Sequence, residues 1–251
     1  MPYCLRTATS SDGSATSAAS IPSSLPAGAL ALVDKARPYV DIVEIGTPFV
    51  IAEGLAPVRA MKARYPDLEI LADLKIMDAG EYEARIAFEA GADYVTVLAV
   101  TDIATIKGCL VTASRFGKTV VADMICVGDM ARRIGELEAA GITALAVHTG
   151  VDQQAAGRTP LDDLKLMKKH SRQSQIFVAG GIKRDTLAPY FESGADVAIV
   201  GSGICHAADP VQRGRGNDAA EGARNAVARV VGHDKQDVGR ALGRHHGGRP
   251  V

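Results

Sequence analysis

Three residues in the first third of the chain have types and spacing that suit chemistry: Asp73, Lys75 and Asp78, in the segment ILADLKIMDAG. Asp73 and Lys75 close a short apolar run, EILADLK at 69–75, that reads as a β-strand, and alternation along a strand sends these two positions to the same side. A carboxylate and an ammonium buried together cost desolvation energy, so the pair is weak as a stability device. Binding a polyol or metal-bound substrate, and steadying negative charge that develops on oxygen, explains that cost better. A buried salt bridge, with Asp78 capping the helix that follows, is the plainer alternative.

Other polar groups end other apolar runs. Glu44 lies between Val43 and Ile45, and with Asp73 it makes two carboxylates on adjacent strand ends. Such a pair can hold Mg²⁺ and leave positions open for substrate oxygens and water, or Glu44 can simply orient Lys75. His148 ends ALAVH, and imidazole carries protons near neutral pH. Asp152 and Gln153 lie in the following loop, where either contacts substrate or caps the next segment. Asp123, in ADMI, holds a strand-end position that is either structural or substrate-facing. The last two runs end in glycines, Gly180 and Gly181 in VAGGI and Gly201 beside Ser202 in VGSGI. Backbone N–H groups approach an anion closely there, and barrels frequently bind phosphate after strands seven and eight.

The elements that must position these groups alternate regularly. Strands are expected at 40–46, 69–75, 94–99, 119–125, 144–150, 175–181 and 197–203, with helices at 28–37, 52–64, 80–90, 102–115, 129–140, 161–169 and 185–193. Alternation of this kind argues for βα units on a parallel sheet. The joints Gly91-Ala92-Asp93, Gly141-Ile142 and Gly194-Ala195-Asp196 recur between helix and strand. A (β/α)8 barrel of the TIM type is therefore expected, with its first strand poorly represented, and active groups belong at the carboxyl ends of its strands. An open doubly wound sheet competes less well, because no GxGxxG follows an early strand.

Residues 1–24, rich in Ser, Thr and Ala, read as a flexible leader, 25–210 as the catalytic barrel, and 211–251 as a helix at 219–231 followed by a Gly, Arg and His tail. The charge is balanced, with 28 Lys plus Arg against 29 Asp plus Glu, so no broad basic field points to nucleic acid or an anionic membrane. The cysteines at 4, 109, 126 and 205 form neither a CxxC pair nor a metal-ligand spacing. With no apolar span of membrane length and no signal-peptide pattern, a cytoplasmic enzyme is the expectation.

The segments VDIVEIGTPFVIAEGL, ILADLKIMDAGEYEARIAFEAGADYVTVLA, ADMICV, VHTGVDQQAAG, VAGGI and IVGSGICHAADP resemble the 3-hexulose-6-phosphate synthases of the orotidine-phosphate decarboxylase suprafamily over about residues 28–210. The DxKxxD element marks the suprafamily, and VHTGxDxQAxG favours the synthases. The resemblance implies a Mg²⁺-dependent aldol reaction joining formaldehyde to D-ribulose 5-phosphate to give D-arabino-3-hexulose 6-phosphate. By that match Glu44 and Asp73 contact the metal, His148 moves the C1 proton and Lys75 stabilises the enediolate. Gly180, Gly181, Gly201 and Ser202 bind the phosphate, with Asp152 at the substrate. The resemblance also implies a homodimer whose sites lie at the interface, Asp78 serving the neighbouring subunit.

Two departures stand out, the smaller being Ser202, which stands where the family has a glycine. The family opens with a strand like LQVALD, ending in an active-site aspartate, and here the corresponding stretch is SAASIP with Pro22 near the expected position. An altered start region, an active enzyme using another group, and a barrel that binds phosphosugar without turnover are the three readings. Separately, 3-keto-L-gulonate-6-phosphate decarboxylases share the acidic cluster, but typically carry an arginine three residues beyond the histidine, where this chain has Val151.

Overall fold

Seven β-branched runs become parallel strands because each has apolar residues on both faces, which suits a sheet buried on both sides. The computed structural model describes residues 29–30, 33–34, 37, 40–182, 186–201 and 226–231. The strands are β1 (Ile42–Ile45), β2 (Glu69–Ile76), β3 (Tyr94–Leu98), β4 (Thr119–Asp123), β5 (Ala144–His148), β6 (Gln175–Ala179) and β7 (Val197–Val200). Between them run α1 (Thr47–Glu53), α2 (Ala56–Arg64), α3 (Gly80–Glu89), α4 (Ile103–Phe116), α5 (Met130–Ala140), α6 (Val151–Ala155), α7 (Leu161–His170) and α8 (Leu187–Glu192). An eighth strand, β8 (Ala226–Val231), completes a closed barrel in the order β1 to β8.

The expected barrel is therefore the barrel found, closed in an unexpected way. Residues 226–231, expected within a helix at 219–231, form a strand that runs antiparallel to both neighbours, with Ile45 opposite Ala226 and Val200 opposite Ala228. Without it, β1 and β7 would carry open edges with unpaired N–H and C=O groups. The β-branched residues of AVARVV suit that slot, and the demand for hydrogen bonds there overrides the helix preference of its alanines. The rest of the expected tail, the leader at 1–24, Pro22 and Ser202 lie outside the described residues.

Two further corrections concern helices. The single helix expected at 52–64 is two, α1 and α2, each with proline in its first turn and separated at Gly54 and Leu55. The loop expected after His148 contains the short helix α6.

The packing has two parts. A small cluster inside the barrel gathers Ile42, Leu71, Val121, Ala146, Phe177 and Val197. The larger core fills the layer between sheet and helices, with Phe49, Met61, Ile106, Ile134, Leu137 and Met167 among its buried members. Cys109 and Cys126 are free thiols. No helix among the described residues is long and apolar enough to cross a membrane.

Candidate active site

The carboxyl ends of the parallel strands surround a cavity of about 270 Å³. Leu71, Val121 and Ala146, from the inner cluster, line its apolar part. Glu44, Asp73, Lys75, Thr96, Asp123 and His148, from five successive strands, supply its polar wall. Gly180, Gly181 and Gly201 line the opposite side, at the ends of β6 and β7.

Lys75 lies at the centre of the polar wall. Its Nζ donates to Asp73 Oδ1 and Oδ2, both at 3.0 Å, and to Asp123 Oδ2 at 3.1 Å. Burial disfavours the ammonium, but the charges of Asp73 and Asp123 outweigh it and hold the lysine pKa above its ordinary value. Lys75 is therefore a firm cation at neutral pH. Asp73 is itself tightly held, because Thr47 Oγ1 donates to its Oδ2 at 2.7 Å and Thr96 Oγ1 to its Oδ1 at 2.7 Å.

Asp123 links this pair to the histidine. It is almost fully buried, with Oδ1 accepting from the Ile125 amide at 2.9 Å and Oδ2 lying 2.8 Å from His148 Nδ1. Burial raises its pKa, yet the hydrogen bond and charge of His148, then Lys75 and the Ile125 amide, bring it below the ordinary value. A carboxylate there accepts from Nδ1–H, so in the neutral tautomer Nε2 is the nitrogen left to accept a proton. The sequence left Asp123 open between two roles, and the structure puts it in the site as the link between His148 and Lys75.

The backbone at this point is unusual. Lys75 has φ +49, a left-handed conformation that costs a non-glycine residue roughly 1–3 kcal/mol and clusters at functional sites. Asp73 and Lys75 both reach the cavity, but along an irregular strand rather than by simple alternation.

The glycines that follow β6 allow close packing. Gly180 has φ +115, and a Cβ there would lie 2.4 Å from the Thr149 carbonyl oxygen. Gly181 has φ +67, and a Cβ there would lie 2.9 Å from Gln154 Oε1. At Gly180 a side chain would run into backbone, and at both positions the positive φ favours glycine, which suits this wall to present backbone groups to an anion.

Two expected site residues lie apart from the cavity. Asp152 is exposed on the outer side of α6, and Gln154, two residues on, lines the cavity instead, its Nε2 donating to the Thr149 carbonyl at 2.7 Å. From this segment Val151 and Gln154 border the cavity rather than Asp152, because the segment is a turn of helix rather than a loop. Asp78 is exposed, and its Oδ1 accepts from the Ala79 amide at 2.7 Å, so within its own chain it stands outside the cluster. It does not cap α3 from the N-cap position, which Ala79 occupies. Thr47, Thr96 and Gln154 were missed: a threonine just after one strand-like run and another inside a second carry no charge to mark them, and Thr96 looks like an ordinary β-former.

The donor set suits a hard divalent cation. Glu44 and Asp73 are carboxylates on neighbouring strands lining one cavity. Among the described residues no three His, Cys, Asp or Glu side chains are grouped to hold a metal by themselves. Substrate oxygens or water would have to complete the shell, as is usual for Mg²⁺.

Comparisons with known proteins agree on one relationship. Residues 18–216 match the family described as "Orotidine 5'-phosphate decarboxylase / HUMPS family". The 3-hexulose-6-phosphate synthase of Bacillus subtilis (strain 168) is 47% identical over 184 residues, covering 73% of this chain and 88% of that protein. The crystal structure of 3-hexulose-6-phosphate synthase from Salmonella typhimurium superposes with a TM-score of 0.71 at 52% identity, covering 78% of this chain and 90% of that one. For the 3-keto-L-gulonate-6-phosphate decarboxylase of Vibrio cholerae the TM-score is 0.56 at 28% identity, covering 64% of this chain and 76% of that one.

Proposed function

Because the chain belongs to the orotidine 5'-phosphate decarboxylase / HUMPS family, we propose that it is a 3-hexulose-6-phosphate synthase, a lyase that joins formaldehyde to D-ribulose 5-phosphate with the help of Mg²⁺. The observation that carries the chemistry is the continuous run of contacts from His148 through Asp123 to Lys75 and Asp73 along one cavity wall. Higher identity to the synthase structure, 52% against 28% for the decarboxylase structure, supports the first reaction over the second. Val151, at the position where the decarboxylases carry arginine, agrees with that choice.

In this reading the phosphate lies against Gly180, Gly181 and Gly201 and fixes the sugar so that C1 meets His148, and the family resemblance adds Ser202 to the phosphate ligands. His148 Nε2 takes a proton from C1, and Asp123 holds the ring in the tautomer that can do so. The electron pair moves into a C1–C2 enediolate whose oxygen lies against the Lys75 ammonium. C1 then attacks the carbon of formaldehyde, the new C–C bond forms, and the aldehyde oxygen takes the proton back from His148. No proton is gained or lost overall. Glu44 and Asp73 would hold the Mg²⁺, which as a Lewis acid lowers the cost of enediolate formation.

Asp78 belongs to this proposal through a second subunit. Its exposure, and the exposed Met77 and Tyr82 on either side of it, support a homodimer in which Asp78 reaches the neighbouring site.

The test is a coupled assay on the full chain. Formaldehyde is expected to disappear only when D-ribulose 5-phosphate and Mg²⁺ are both present. Release of CO₂ from 3-keto-L-gulonate 6-phosphate without formaldehyde consumption would replace the synthase with the decarboxylase. Binding of D-ribulose 5-phosphate with no turnover of either kind would leave a phosphosugar-binding barrel.

A further inference from the structure

The register between β2 and β3 breaks at the site. Leu71 pairs with Tyr94 and Ala72 with Val95, but the next pair is Ile76 with Val97. Asp73, Leu74 and Lys75 therefore lie opposite the single residue Thr96. Bulges of this kind occur beside active sites, where they aim a side chain and leave ladder groups unpaired.

One of those groups is the Lys75 amide, and it finds a side chain instead of the ladder. Lys75 N donates to Thr96 Oγ1 at 2.9 Å, while the same hydroxyl donates to Asp73 Oδ1 at 2.7 Å. A hydroxyl has one hydrogen to give and lone pairs to accept with, and here both capacities face the site. Lys75 Nζ closes the ring on Asp73. Thr96 is buried, between the fully buried Val95 and Val97.

We propose that Thr96 is a positioning residue of this site: its hydroxyl fixes the Asp73 carboxylate and the left-handed backbone of Lys75 relative to each other. Valine would fill the same space and suit the strand equally well. What valine lacks is the hydroxyl that lets Lys75 hold φ +49 with its amide satisfied. The catalytic part of this inference rests on the reaction proposed above, whereas the backbone clamp does not.

The experiment compares wild type, Thr96→Val and Thr96→Ser as full chains. Thr96→Val is expected to lower kcat by about a hundredfold, the scale of a small misplacement of reacting groups. KM for D-ribulose 5-phosphate should stay within about threefold, because uniform binding through the phosphate site is untouched. Thr96→Ser, which restores the hydroxyl, should recover most of the lost kcat. In parallel, amide hydrogen exchange at Lys75, read by NMR, should quicken in Thr96→Val alone. A wild-type kcat in Thr96→Val, or a Thr96→Ser variant as slow as Thr96→Val, would overturn the proposal. If wild type consumes no formaldehyde, the functional reading fails, and exchange decides the clamp by itself. Protection lost only in Thr96→Val then supports it, and equal protection in all three proteins overturns it. Thr96→Cys, of similar size but a weaker donor and acceptor, takes the place of Thr96→Val if that variant does not fold.

Discussion

The two ends of the barrel carry the same kinds of ion pair and use them differently. At the carboxyl ends of the strands Lys75 bridges Asp73 and Asp123. At the amino ends Asp93 receives Lys62 Nζ at 3.0 Å, Lys118 Nζ, and the Ile70 amide at 2.9 Å. One end has an aspartate between two lysines, the other a lysine between two aspartates. An ion-pair count would not tell them apart.

What separates them is the surroundings. The Asp73 cluster borders a cavity, and its lysine has a strained backbone. The Asp93 cluster borders no part of that cavity, and none of Lys62, Asp93 or Lys118 has a positive φ. The lower cluster also repeats. The Asp93 amide donates to the Ile70 carbonyl while its side chain accepts from the Ile70 amide, and Asp196 does the same with Ile176. These aspartates pin the start of a strand to its neighbour. In barrels of this kind the amino-terminal face serves stability and the carboxyl-terminal face serves catalysis.

The largest effects should come from the upper end and should fall on turnover. Asp73→Asn and His148→Ala are each expected to lower the rate of formaldehyde consumption by at least about a hundredfold, the usual scale for a lost proton-transfer or charge-stabilising group. Their melting temperatures should stay near wild type. A variant that keeps its rate would remove the distinction between the two ends, because the upper cluster would then be structural as well.

Next comes the lower end, where the expected effect falls on stability. Asp93→Ala leaves two lysines and the Ile70 amide without their partner, which should cost about 1–3 kcal/mol. In a domain of this size that is a drop of about 2–4 °C in Tm for each kcal/mol. Below the melting range kcat should be unchanged. A fall in kcat without a fall in Tm would show that the ends are coupled.

The same contrast explains what was readable beforehand. Asp73, Lys75, Glu44 and His148 stood out because charged residues interrupt apolar runs, and all four line the cavity. Thr96 gave no such signal, since threonine inside YVTVL is what a strand prefers, and only the register break makes it the partner of three residues. Asp152 and Gln153 were read in a loop, where either is free to face the substrate, whereas the turn of helix found there puts Val151 and Gln154 on the cavity and leaves Asp152 exposed. The strand at 226–231 was hidden by its alanines and by distance along the chain. It forms because β1 and β7, far apart in sequence, both need an edge partner.

The smallest expected effect is a pH dependence that belongs to the lower end. Burial works against the Asp93 carboxylate, but Lys118, the Ile70 amide and Lys62 together hold its pKa below the ordinary value. A depressed pKa means that folding favours the ionised form. The stabilisation is complete above the unfolded value of about 3.9 and is lost as pH falls through the lower folded value. Asp93→Asn keeps a carbonyl for the Ile70 amide but cannot titrate, so it should lower Tm at pH 6 and flatten the acid limb of the Tm curve below about pH 4. Thermal melts of both proteins from pH 6 to pH 3 read the difference directly. Parallel acid limbs would mean that Asp93 contributes no linked stability, and the ion pairs at the lower end would then have to be weighed as geometry alone.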